Sequence, residues 1–79
     1  MIFEHYDMGK TYIIPDEKCN IDDFRVEGNV LILSTGERVA FKSKQGAEDA
    51  WIWFQECFRD GGGSMMYIQE ETATYGWYH

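Results

Sequence analysis

Two histidines, two cysteines and fourteen acidic residues are the side chains of this 79-residue chain that could hold a metal or move a proton. His5, His79, Cys19 and Cys57 add up to four nominal zinc ligands. Structural zinc sites draw on close pairs such as Cys-x2-4-Cys or His-x3-5-His, because one turn then presents two donors to the same ion. Here the cysteines stand 38 positions apart and the histidines sit near opposite ends. Cys57 also falls on an apolar helical stripe, where a small buried thiol is the ordinary reading. Neither a zinc site nor a cofactor is expected.

Nucleophiles fare no better. A serine nucleophile needs a strained elbow of the Gly-x-Ser-x-Gly kind, and Ser34, Ser43 and Ser64 lack that context. A cysteine nucleophile needs a paired histidine, which spacing alone does not supply. Two acids among fourteen do not define a glycosidase-like dyad. Gly61-Gly62-Gly63-Ser64 invites comparison with a phosphate loop, but phosphates bind at helix N-termini, where amide donors converge. This run follows the C-terminal, negative end of a predicted helix, behind Asp60. The chain is read as a non-enzyme.

Charge is the stronger signal. Seven Lys and Arg against fourteen Asp and Glu give a net charge of −7 with His neutral. That field repels phosphates and anionic membrane surfaces, and it favours basic partners. The acids cluster as four doublets, Asp16-Glu17, Asp22-Asp23, Glu48-Asp49 and Glu70-Glu71. All but the third fall in predicted loops, where they are easily solvated. The plain reading is a soluble surface; the sharper one is a patch that docks on an Arg/Lys groove, in the extreme as a mimic of nucleic-acid phosphate.

The elements that must position these residues follow from periodicity. Thr11 to Ile14 is rich in β-formers and stops at Pro15. A polar loop runs from Asp16 to Asp23, interrupted by Ile21. Phe24 to Val26, Val30 to Leu33 and Arg38 to Phe41 read as an antiparallel meander, turned at Glu27-Gly28-Asn29 and Ser34 to Glu37. The unbroken apolar run Val30 to Leu33 suits a central strand covered on both faces.

Ser43 is a plausible N-cap for a helix from Lys44 to Asp60. Ala47, Ala50, Trp51, Phe54, Cys57 and Phe58 recur at helical spacing and span roughly 120° of the wheel. Gly61 is expected at C′, with 62–64 as a flexible joint. Met65 to Ile68 and Thr74 to Tyr78 form a second hairpin around a turn at Gln69 to Ala73. The expected architecture is a single α+β domain, in which a mostly antiparallel sheet of meander plus C-terminal hairpin packs on one amphipathic helix.

On that helix Ile52 lies opposite the apolar stripe, near Glu48 and Glu56, and Trp53 sits at its edge. An apolar anchor rimmed by acids resembles an interface. Tyr75, Trp77 and Tyr78 add an aromatic patch that can serve a partner or a dimer.

The N-terminus has neither a basic start nor an apolar run, and no stretch approaches a membrane span. With two unpatterned cysteines the expectation is a complete cytoplasmic product with free thiols. The meander running into VAFKSKQGAEDAWIWFQECFRDG, in an acidic, aromatic-rich chain of this length, resembles small proteins encoded by phages and mobile elements. Among these are the anti-CRISPR inhibitors, several of them single α+β domains that block a nucleic-acid-binding effector.

The net charge, the four doublets, Ile52 with Trp53 and the lack of a catalytic set point to a stoichiometric inhibitor that occludes a basic groove of a larger protein or nucleoprotein complex, without binding nucleic acid or membrane itself, and the resemblance implies the same class. The candidate contact residues are Glu48, Asp49, Ile52, Trp53 and Glu56 on the helix, with Asp16, Glu17, Asp22, Asp23, Glu70 and Glu71 in the loops. The alternatives are a self-associating structural or accessory domain, a homodimer whose C-terminal hairpins pair edge to edge, or a protein that sequesters a small ligand on its aromatic patch.

Overall fold

A computed structural model describes residues 1–59 and 65–78, with the side chains of residues 77 and 78 excepted. The expected C′ glycine and joint at 60–64, the His79 ligand and the Trp77 and Tyr78 side chains lie outside the described residues.

The chain is α+β, with one α-helix and seven strands in two mostly antiparallel sheets among the described residues. The meander is β3 (Arg25–Glu27), β4 (Val30–Ile32) and β5 (Arg38–Ala40), antiparallel throughout. β4 is its central strand, as the apolar run implies; Leu31 and Leu33 are buried, while Val30 and Ile32 are only half-covered. The C-terminal hairpin is β6 (Met65–Gln69) with β7 (Thr74–Tyr78).

These two units do not join into one sheet. The hairpin instead extends β1 (Ile2–His5) and β2 (Lys10–Ile13), in the strand order β2-β1-β6-β7. β1 was invisible to the strand pattern because its inward positions are Phe3 and His5, and a buried histidine breaks the apolar alternation. β1 and β6 pair in parallel, the one parallel contact among the described strands.

α1 (Lys44–Arg59) starts where its cap predicts: Ser43 Oγ accepts the Gly46 N–H at 3.0 Å. It buries Ala47, Ala50, Phe54 and Cys57 against both sheets. Phe54 is the hub, with ring centroids 5.1 Å from Phe3 of one sheet and 5.2 Å from Phe24 at the entrance to the other. Burying aromatic rings at this density is how a short chain assembles a core. The outer face of the four-stranded sheet is left open, with Ile2 and Ile13 paired across β1 and β2 and both exposed.

Candidate functional site

Three 3-10 turns decide where the acids stand: Tyr6–Met8, Asp16–Lys18 and Ile21–Asp23. The last packs on α1, and the loop at 19–21 with the C-terminal half of that helix lines an open groove of about 490 Å³, formed by Cys19, Asn20, Ile21, Gln55, Phe58 and Arg59. Asn20 shapes this loop, since its Oδ1 accepts the Asp22 N–H at 3.1 Å and caps the turn. Phe58 is held in place by Phe24 at 5.5 Å and Phe54 at 5.9 Å. Cys19 turns its thiol to the Pro15 carbonyl at 3.4 Å. Burial pushes that thiol above the ordinary range, the N-terminal ammonium only partly offsetting it.

The doublets beside the groove are exposed. Asp16 lies 3.6 Å from the N-terminal ammonium. No cation pairs with Glu17, Asp22 or Asp23 among the described residues.

The helix face presents the other expected contacts together. Ile52 is 49% exposed, with Glu48, Asp49 and Glu56 around it one turn away on either side. Its acids are already matched, however. Glu48 meets Lys44 at 3.9 Å, Asp49 accepts from Gln45 at 2.8 Å, and Glu56 pairs with Arg59 at 2.8 Å. Trp53 is half-buried and stacks flat on Tyr75 at 6.3 Å, so the structure spends much of both rings on each other.

Glu70 corrects the sequence reading. It was expected on the surface, yet its side chain is only 7% exposed. The reason is local. Asp7 takes the Glu70 N–H at 2.6 Å and the Glu71 N–H at 3.4 Å, which fixes the β6–β7 turn. The Glu70 carboxylate then reaches the Lys42 N–H, at 3.0 and 3.2 Å from its two oxygens, just ahead of α1. Gly46 makes room, because a Cβ there would collide with Glu70 Oε1. Glu71 does face solvent, but Lys42 Nζ holds it at 2.8 Å.

Beneath Glu70 lies His5, whose side chain is 1% exposed; its Nε2 is 3.2 Å from Glu70 Oε2. That nitrogen has no aligned hydrogen-bond acceptor, so the contact is chiefly electrostatic. Burial raises the Asp7 carboxyl, but the Glu70 and Glu71 amide donors, with Lys42 and His5, together outweigh it and hold it below the ordinary range.

His5, Asp7 and Glu70 bring potential ligand atoms within 4.8 Å of one another. Sequence spacing gave no hint of this trio, because residues 5 and 70 meet only through the parallel pairing of β1 and β6. The donor chemistry argues against a metal. Met8 N–H donates to His5 Nδ1 at 3.3 Å, which assigns the neutral ring's proton to Nε2, the nitrogen that faces the carboxylates. A cation there would need the lone pair that this tautomer does not offer. The cluster is a latch that ties β1, the β6–β7 turn and the start of α1 together, with its imidazole shielded from any substrate.

No family model, curated protein or solved structure matches the chain. No helix among the described residues is long and apolar enough to cross a membrane.

Proposed function

We propose that this chain is a non-catalytic, acidic protein-binding inhibitor or regulator that occludes a basic, nucleic-acid-handling groove on a larger partner, in the manner of the phage-encoded anti-CRISPR inhibitors it resembles. One observation carries the reading: carboxylates with no cation partner among the described residues stand on one loop, at Glu17, Asp22 and Asp23 with Asp16 beside them, next to an apolar depression. On the helix Glu48 and Glu56 meet cations and Asp49 accepts from the neutral Gln45 amide, while Glu70 rests on His5 and Glu71 on Lys42. Unmatched like charges held close together cost stability, and a basic surface would relieve that repulsion. Effectors that hold nucleic acid in a positively charged channel present such a surface.

The test is displacement. The chain is titrated into complexes of basic nucleic-acid-binding effectors with a labelled oligonucleotide, at low and high salt. The expected result is release of oligonucleotide from a target, weakened by salt and by Asp22→Lys with Asp23→Lys. Release that is indifferent to the double reversal, or a panel of such complexes left intact at every salt concentration, refutes the reading.

Self-association draws on a different observation. β2 and β7 are both edge strands, and Ile13 at the end of β2 is 70% exposed with its cross-strand partner Ile2 at 41%. Light scattering that reports a dimer with no oligonucleotide displacement supports that alternative.

A further inference from the structure

We propose that the groove between the Cys19–Ile21 loop and the C-terminal half of α1 takes one large apolar side chain from a basic segment of a partner protein, with flanking lysines or arginines meeting Asp22 and Asp23. This names the contact point of the binding function proposed above and rests on that reading.

The groove's chemistry separates into an apolar floor and an acidic rim. Ile21 and Phe58 are half-buried hydrophobics packed on the core, and Phe58 is fixed by two neighbouring rings. The floor is therefore rigid before anything binds, which lowers the ordering cost of association. The polar groups at its edge are largely committed. Asn20 caps its own turn, Cys19 faces the Pro15 carbonyl, and Arg59 is neutralised by Glu56 at 2.8 Å. Asp22 and Asp23 continue directly from Ile21 in the same 3-10 turn, both exposed and unpaired by any cation among the described residues. An apolar side chain placed on Ile21 and Phe58 thus brings its sequence neighbours alongside unmatched carboxylates, and only a cationic neighbour gains from that position.

The helix face around Ile52 lacks this combination, because each of its acids already has a partner. The open shape suits a side chain borne on a chain segment better than a free small molecule, which needs most of its surface enclosed.

The probe is a short synthetic peptide with one leucine among lysines and arginines, compared with the same peptide carrying alanine in place of leucine. Affinity is read by fluorescence anisotropy and location by amide chemical-shift changes in the intact chain. Two variants add the same charge at different places: Gln55→Lys in the groove and Gln45→Lys at the far, N-terminal end of the helix. The expected result is shift changes centred on residues 19–23 and 55–59. Removing the leucine should weaken binding by roughly tenfold. Gln55→Lys should weaken it by a similar factor while Gln45→Lys stays within about twofold, and Asp22→Lys with Asp23→Lys should weaken it clearly more than Glu48→Lys with Asp49→Lys does.

Equal effects of Gln55→Lys and Gln45→Lys, or indifference to the leucine, overturn the groove. So does a peptide that fails to bind. Oligonucleotide displacement that persists in either case leaves the broader function standing, and its loss as well removes both.

Discussion

Replacing Gly46 by alanine should destabilise this protein, although alanine is the better helix former. In a helix interior the exchange gains about 1 kcal/mol. Here the added methyl falls on Glu70 Oε1, with Phe41 Cβ at 3.5 Å on its other side, so the carboxylate must leave its place. That carboxylate accepts the Lys42 N–H and sits against the buried His5 ring. A hydrogen bond to a charged group contributes about 1.5–3 kcal/mol net, and displacing it strands buried polar atoms. Taking about 2–3 kcal/mol lost against about 1 kcal/mol gained leaves a net cost of about 1–2 kcal/mol. For a domain of this size the melting temperature then falls by roughly 4–16 °C.

The decisive measurement is a cycle with Glu70→Ala, read by urea denaturation under far-ultraviolet circular dichroism. Once the carboxylate is gone the methyl has space, and Gly46→Ala should turn neutral or stabilising by up to about 1 kcal/mol. The coupling between the two sites is then roughly 1–3 kcal/mol. A Gly46→Ala variant as stable as the parent, with Glu70 still present, would show that Glu70 does not occupy this pocket.

Two further outcomes test the charge and burial assignments. The Asp7 carboxyl is held below its ordinary value of 3.8 in the fold, so its stabilising contribution is present above that value and is lost as pH falls through the lower, folded one. Urea denaturation across acid pH should show the parent losing its advantage over Asp7→Asn from about pH 4 downward, and an advantage unchanged to about pH 2 contradicts the assignment. The Cys19 thiol is pushed up by burial, so a disulfide reagent near pH 8 should modify it more slowly in the folded chain than in urea; equal rates would mean the thiol is free of the Pro15 carbonyl.

Much of the secondary structure was readable because local patterns and local physics agree. Ser43, the apolar spacing from Ala47 to Phe58 and the turn residues around Gly28 and Gly36 are short-range signals, and each element they announce is present. The same pattern put Ile52 outward and Cys57 inward, as the structure does. What escaped were relations set by distant pairing. β1 gave no alternation because its second inward position is a histidine, and nothing local announces a parallel partner some sixty residues away. Without that strand the meander and the hairpin looked like one sheet, whereas the hairpin pairs with β1 and the sheets stay apart.

The acids show the division most plainly. Composition alone determined that the chain is strongly negative, because net charge needs no coordinates. Which carboxylates are free is a tertiary matter. Glu70 and Glu71 are adjacent and chemically alike, yet one is buried on His5 and the other is exposed on Lys42. Their fates diverge because Asp7, Lys42 and Gly46 arrive from three other segments and leave room and donors for only one of them. Folding likewise paired Glu48 and Glu56 with cations on the same helix and left Glu17, Asp22 and Asp23 without one among the described residues, a selection that no count of charges contains.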